Sequence, residues 1–262
     1  MTPERVAAAG AAWLWWPSDA TVVRDDRLVL VRWPDHYRVA PTVVRVAADA
    51  PVAATLEAAV DRAREWGSAE LLVWVKPDAP AGLEAALRSR GGVHDDTVDV
   101  FALDLAGGVP DLAVPADVEV RWQLDEATTR DVIQVGIEAF EEGAVPDDER
   151  VLELAEEAAA DHRDRRGACA VGYLGAHAAG GGGLSMAGDV VRLWGGGVVP
   201  DARGRGVYRA VLDARLRHAV SLGARMALVK GRVETSGPIL RRVGFTAYGQ
   251  ERCYVLPVAD RR

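Results

Sequence analysis

The chain of 262 residues has only two cysteines, Cys169 and Cys253, with no CxxC pair and no Cys/His cluster. That excludes a disulfide framework and a cysteine-ligated centre; it fits a reducing compartment and leaves no metal site to expect. Positive charge is also scarce, since 31 Lys and Arg against 39 Asp and Glu give a net charge of −8. Nucleic-acid phosphates select basic faces, so nucleic acid is not the expected partner. The chain opens Met1-Thr2-Pro3-Glu4-Arg5, with no basic segment leading into a long apolar run. Neither a signal peptide nor a membrane span is read, and the cytoplasm is the expected location. What is present is an ordinary globular composition, 49% hydrophobic and 27% charged. The length allows one large core or two modest ones.

The most informative stretch is Val199-Pro200-Asp201-Ala202-Arg203-Gly204-Arg205-Gly206-Val207-Tyr208. It follows an apolar, Gly-interrupted strand pattern from Val190 to Val198 and opens helical spacing from about Val207 to Leu222. The first N–H groups of a helix have no intrahelical acceptor, and the helix dipole adds positive potential there. Gly204 and Gly206 let the backbone approach an anion without Cβ interference, and Arg203 and Arg205 supply cationic donors. The expected ligand group is a pyrophosphate on a small molecule.

Residues 106–115, rich in Gly and Pro, read as a linker. Beyond it the pattern predicts a strand at Val118–Trp122, helices at Asp125–Phe140 and Val151–Arg163, and strands at Ala168–Leu174, His177–Met186 and Val190–Val198. After the Gly/Arg loop and its helix come a strand at Met226–Lys230, a short helix at Gly237–Val243 ended by Gly244, and a closing strand at Cys253–Val258. The N-terminal half repeats the tail of this order: helix Leu56–Trp66, strand Glu70–Val75, helix Leu83–Arg90, strand Val98–Leu105. Ala86-Leu87-Arg88-Ser89-Arg90-Gly91 aligns with Ile239-Leu240-Arg241-Arg242-Val243-Gly244, and Trp66-Gly67 with Leu222-Gly223. The first copy has only Ala47-Ala48-Asp49-Ala50-Pro51-Val52 ahead of its helix, so it should bind no phosphate. Six of the eight tryptophans (Trp13, Trp15, Trp16, Trp33, Trp66, Trp74) sit in this half and read as packing residues, with an aromatic wall for an acceptor as the alternative.

A dinucleotide-binding turn would need a third glycine where Arg209 stands and an acidic ribose ligand where Lys230-Gly231-Arg232 ends the next strand. The triphosphate-loop sequence G-x-x-x-x-G-K-[ST] is absent. Gly183-Leu184-Ser185-Met186-Ala187 is a weak match to a hydrolase nucleophile turn, but Gly188-Asp189 and another strand follow it instead of a helix.

Residues 118–258 resemble the Gcn5-related N-acetyltransferases (GNATs). The family's diagnostic segment is a strand, V-x-P, then R/Q-x-x-G-x-G/A opening a helix; here it is matched by Val198-Val199-Pro200 and Arg203-Gly204-Arg205-Gly206-Val207-Tyr208. Leu240-Arg241-Arg242-Val243-Gly244-Phe245 matches the short helix and Gly-Phe pair that close the domain. The two-copy pattern further resembles tandem members. The resemblance implies an α/β protein of the α+β type, with a mixed, largely antiparallel twisted sheet flanked by helices in each of two copies. Residues 1–107 would be a degenerate copy and 116–262 the acyl-coenzyme A-binding catalytic copy. The degenerate copy would pack on its partner, shape the acceptor cleft or mediate a homodimer.

By the same resemblance, acetyl-coenzyme A is the acyl donor and a primary amine on a small molecule or peptide is the acceptor. Backbone amides from Arg203 through Gly204, Arg205, Gly206 and Val207 to Tyr208 would hold the pyrophosphate. Val198 and Val199 would meet the pantetheine arm beside Gly195-Gly196-Gly197, where glycine permits a bulge. The oxyanion donor would be a backbone N–H near Val198. Acyl transfer also needs a base and an acid. Trp194 stands where some members place a glutamate, which leaves Glu138, Glu141 and Glu142 at the end of the first helix, or a water chain, as bases. Leu240 stands where many members carry the acid tyrosine, which leaves Ser236, with Tyr208 and Tyr248 as alternatives. Tyr208 also replaces the last small residue of the loop motif. A non-catalytic acyl-coenzyme A sensor or scaffold is the alternative function. His177, His218 and Cys253 read as structural.

Overall fold

The structure, a computed structural model, describes residues 1–141 and 143–258; Glu142, one of the candidate bases, lies outside the described residues. The chain divides into two compact units. One comprises Thr2–Val100, Gly231–Gly237 and the described residues from Tyr248 to Val258; the other comprises Met1, Phe101–Lys230 and Pro238–Ala247. They are called the N- and C-terminal units below.

In the N-terminal unit, helix α1 (Pro3–Ala11) starts at Thr2, whose hydroxyl accepts from the Arg5 N–H at 3.3 Å, with Pro3 in the first turn. Strands β1 (Thr21–Arg24), β2 (Leu28–Arg32) and β3 (Thr42–Val46) form an antiparallel meander. Helix α2 (Val52–Glu65) then carries the chain to β4 (Glu70–Val75), which runs parallel to β3. Helix α3 (Leu83–Ser89) leads into β5 (Val93–Asp104). Leu56, Ala59 and Ala63 recur at three- and four-residue spacing, so α2 buries one stripe against Leu30, Val43, Leu71 and Val73.

The C-terminal unit begins with β6 (Val118–Trp122), α4 (Glu126–Phe140) and α5 (Asp148–Arg163). A reciprocal capping box fixes the start of α4: Asp125 accepts from the Thr128 N–H at 2.8 Å, and Thr128 Oγ1 accepts from the Asp125 N–H at 3.3 Å. Strands β7 (Gly167–Leu174), β8 (His177–Ala187) and β9 (Val190–Val198) follow as an antiparallel meander, with β6 antiparallel to β7. Helix α6 (Val207–Ser221) crosses to β10 (Met226–Arg232), which runs parallel to β9. Helix α7 (Ser236–Arg242) and β11 (Thr246–Pro257) end the order. The architecture is mixed and mostly antiparallel, with flanking helices, as the resemblance implied.

The compact units are drawn differently from the 1–107 and 116–262 division. The closing strand β11 pairs antiparallel with β4, from Arg252↔Val75 to Pro257↔Glu70, and so belongs to the N-terminal unit. The second half of β5 is the neighbour of β10, and Phe101, Leu103 and Leu105 enter the core of the C-terminal unit with Leu212, Leu216, Ala227 and Leu240. Each unit is thus completed by the last strand of the other repeat. Phe101, Ala102 and Leu103 of β5 and Cys253, Tyr254 and Leu256 of β11 are buried, so each strand brings an apolar stretch to the sheet it completes.

The sequence reading also left α1, β1, β2 and β3 unassigned. Leu28 to Val31 are all buried, so β2 lacks the polar/apolar alternation that marks a half-exposed strand. Among the tryptophans of this unit, Trp13 is buried and Trp66 packs on the core, while Trp15 and Trp33 lie 6.2 Å apart in an aromatic row with Tyr37. Among the described residues no helix is long and apolar enough to cross a membrane.

Candidate acyl-donor site

The site is built on the β8–β9 ribbon, where glycine is concentrated: Gly180 to Gly183 on one strand and Gly195 to Gly197 on the other. The ladder pairs Gly181 with Gly197 and Gly183 with Trp194, so Gly195 and Gly196 together oppose Gly182 in a bulge. Gly195 takes φ +59°, which a side chain rarely adopts. The glycines alternate in the helix they receive. A Cβ at Gly180 would lie 2.7 Å from Val207 of α6, at Gly182 2.6 Å from Arg215 Nη1, and at Gly197 2.8 Å from the Ala139 Cβ of α4. The missing side chains let α4 and α6 close onto opposite faces of a bulged ribbon.

On its other edge β9 pairs with β10 from Val190↔Met226 only to Leu193↔Val229, although β9 continues to Val198. The parallel strands therefore part company at Trp194. An extended ligand with amide groups could add to the freed edge as a strand would.

From Val198 the chain turns through a 3-10 segment at Pro200–Ala202 into the N-terminus of α6. Gly206, at φ +81°, is the N-cap, and no side chain caps the helix there. Gly204 also has positive φ, at +78°, with open space where a Cβ would stand. Alternating left-handed residues ahead of an uncapped helix form an anion-binding concavity. Gly206 is required twice over, because a Cβ would also lie 2.4 Å from Pro115 Cγ.

The arginines are engaged elsewhere. Arg203 donates from Nε to the Val198 carbonyl at 3.3 Å and from Nη2 to the Ala139 carbonyl at 3.5 Å, tying the end of β9 to the end of α4. Arg205 reaches Asp117 at 3.5 Å in an exposed pair. The Val199 N–H is bonded to the Ala179 carbonyl at 3.0 Å. Val207 is fully buried, and its Cγ1 would lie 2.7 Å from a Gly180 Cβ.

An open cleft of about 290 Å³ lies at the mouth of the loop, lined by Glu138, Glu141, Val199, Pro200 and Asp201. It brings Glu138 and Glu141 to the loop 199–206; Glu138 accepts from Gln134 Nε2 at 2.6 Å, and Glu141 ends α4 in a left-handed C-cap. Ser236 is the first residue of α7 and groups with the N-terminal unit, as does Tyr248. Leu240 is fully buried in the C-terminal core. The half-exposed Trp194 lies across Gly183, with its ring 2.2 Å from where a Cβ would be. Ser185 is mid-strand opposite Gly167 and Arg192, which is not a nucleophile turn. Burial pushes the Cys169 thiol up to about 11 and the Cys253 thiol up to about 12, so both are inert at neutral pH. Among the described residues no metal-binding group of His, Cys, Asp and Glu is found.

The sequence reading missed Arg215. It is 2% exposed, and donates from Nε to the Val211 carbonyl at 3.2 Å and from Nη1 to the carbonyls of Gly183 at 3.1 Å and Trp194 at 3.3 Å. Tyr208 lies next to it: a Cβ at Gly196 would be 3.6 Å from the Tyr208 hydroxyl and 3.4 Å from Arg215 Nη2. Burial pushes the Tyr208 phenol up, and the Arg215 cation pulls it partly back. A signal was available, because Val207, Val211, Arg215 and Ala219 recur every four residues, putting a charge on an otherwise apolar helix stripe.

No protein-family profile and no curated protein sequence matches the chain. Solved structures do match it. A Gcn5-related N-acetyltransferase from Kribbella flavida superimposes with a TM-score of 0.68 at 14% identity, over 98% of this chain and 96% of that one. A tandem GNAT protein from the clavulanic acid biosynthesis pathway gives 0.61 at 18% identity, over 98% and 89%. A Gcn5-related N-acetyltransferase from Sphaerobacter thermophilus gives 0.66 at 17% identity, over 89% and 81%. The chain has the GNAT fold in its tandem arrangement.

Proposed function

We propose that the C-terminal unit transfers an acyl group, acetyl in the simplest case, from acyl-coenzyme A to a primary amine. The observation that carries this is the conjunction of a bulged β9 that leaves β10 at Trp194 with an uncapped, glycine-lined start of α6. The N–H groups from Gly204 to Tyr208 would receive the pyrophosphate, and the freed edge of β9 the pantetheine amides. The donor supplies an activated thioester: the amine nitrogen bonds to its carbonyl carbon, the carbon–sulfur bond breaks, and the amine proton is passed on as the thiolate is protonated. Glu138 and Glu141, which line the cleft beside Val199, would accept that proton directly or through water. The same carboxylates favour a cationic acceptor, on a small molecule or a peptide.

The N-terminal unit is read as the degenerate copy. Its α2 starts after Pro51, with the short loop 47–51 and no glycine at the cap. Two free, buried thiols suit the cytoplasm. A non-catalytic acyl-coenzyme A sensor is the second reading, favoured by Leu240, which is committed to the core where an acid would be wanted.

Gly204→Asp tests the donor site, because an aspartate tolerates the left-handed backbone and meets open space, yet brings negative charge to the concavity. Calorimetry should show acetyl-coenzyme A binding to the native chain and none to the variant, with unchanged circular dichroism. Equal affinity would refute the assignment. Turnover with a panel of amines separates the enzyme from the sensor, which would bind without releasing coenzyme A.

A further inference from the structure

Arg215 is a guanidinium removed from water with no carboxylate against it among the described residues. The groups that face it are three backbone carbonyls, the Tyr208 phenol and the Cys169 thiol. Burial lowers its pKa from the arginine value, yet arginine stays a cation at any physiological pH. Such a charge carries a large desolvation cost, and an apolar side chain of similar volume is often neutral or stabilising in its place. The residue is nevertheless accommodated at the expense of side chains at Gly182 and Gly196, both within van der Waals reach of the guanidinium. The Nη1 bonds fall on Gly183 and Trp194, a directly opposed pair at the entry to the bulge. Seven residues before the C-cap of α2, where α6 has Arg215, the N-terminal unit has Ala59, and its β2 and β3 contain no glycine.

We propose that Arg215 is a positioning residue for acyl transfer: from behind Gly196 it staples β8 to β9 at the bulge and holds positive potential where the reacting carbonyl oxygen and the leaving sulfur become negative. This rests on the acyl-transfer reading of the same unit. Fixed charge aimed at a developing anion raises kcat and leaves ground-state binding largely alone.

The test compares the native chain with Arg215→Met, Arg215→Lys and Gly182→Ala in steady-state kinetics with acetyl-coenzyme A, together with amide hydrogen exchange at Trp194–Val198. Arg215→Met should keep or raise the melting temperature, speed exchange in that segment, lower kcat about 100-fold or more and change KM less than about threefold. Arg215→Lys, which keeps the charge, should recover at least about tenfold of the lost kcat. Should Arg215→Met fail to fold, Gly182→Ala displaces Nη1 from its carbonyls and should show the same split. A kcat within about threefold of native, equal losses in the Met and Lys variants, or unchanged exchange each overturns the proposal. If the native chain neither binds nor turns over acetyl-coenzyme A, the acyl-transfer reading falls and the catalytic role with it, while exchange still decides whether the staple exists.

Discussion

Leu87 and Leu240 occupy matching places in the short helices of the two units, and each is fully buried in the core of its own unit. Ala59 and Arg215 occupy matching places in the longer helices, and there the units diverge. The N-terminal unit faces α2 with Leu28, Leu30 and Val43 and fills the space with an alanine. The C-terminal unit puts glycines in the equivalent strands, admits a guanidinium and continues into the open loop 199–206. Both repeats have a register shift between the paired strands, at Val29/Leu30 and at Gly181/Gly183, so the bulge alone does not make a site. What differs is whether side chains plug the opening. A duplicated fold can keep its helix–sheet scaffold in both copies because the scaffold depends on apolar spacing, while the proposed donor site would depend on a few positions that stay empty.

The comparison can be broken most forcefully at the matched leucines. Leu87→Ala and Leu240→Ala should each cost about 2–5 kcal/mol in denaturant unfolding, because both leave a cavity in a closed core. If only one is costly, the two cores are not equivalent. Next in size is Gly206→Ala, which should cost about 1–2 kcal/mol for the left-handed backbone, with the Pro115 clash added. It should also weaken acetyl-coenzyme A binding more than tenfold by calorimetry, as the helix start is displaced; native affinity would separate the loop from binding.

A smaller difference concerns pH. His218 stacks on His162 with ring centroids 4.9 Å apart and lies 4.7 Å from Trp122; burial first, then the charges of His162 and Arg165, hold its pKa below the usual value. The folded state therefore favours neutral His218, so this contribution is present above the unfolded histidine pKa of about 6.5 and is lost as pH falls through the folded value. The melting temperature of the C-terminal unit should drop between pH 7 and 5, and His218→Gln should flatten that slope. An unaltered slope would assign the pH response elsewhere. Four residues before its C-cap, α2 has Arg62, so His218 has no histidine counterpart in that helix. The smallest effect should come from Arg205→Ala. Its exposed pair with Asp117 predicts a stability change within about 0.5 kcal/mol in a thermal melt.

Much of the C-terminal unit is legible in the sequence alone. Asp125 at the start of α4, Gly206 at the start of α6 and Gly244 after α7 are local signals, and local signals survive because capping and turn chemistry act over a few residues. The loop from Arg203 to Tyr208 was legible for the same reason. The roles of its arginines were not, since Arg203 spends its donors on Val198 and on Ala139, a carbonyl far away in sequence. Within the missed meander, β2 had no period to read, because Leu28 to Val31 are buried on both faces.

By itself the sequence determined where glycine stands, at 204 and 206 ahead of α6 and nowhere in 47–52, and with it the expectation of an anion site in the second repeat only. It also determined the apolar stripes that make two similar cores. Only the tertiary structure decided that β11 completes the N-terminal unit and β5 the C-terminal one, because strand pairing is a long-range choice between equally apolar edges. It alone decided what the glycines at 182 and 196 are for, since the group that needs their space, Arg215, arrives from a helix one crossover away.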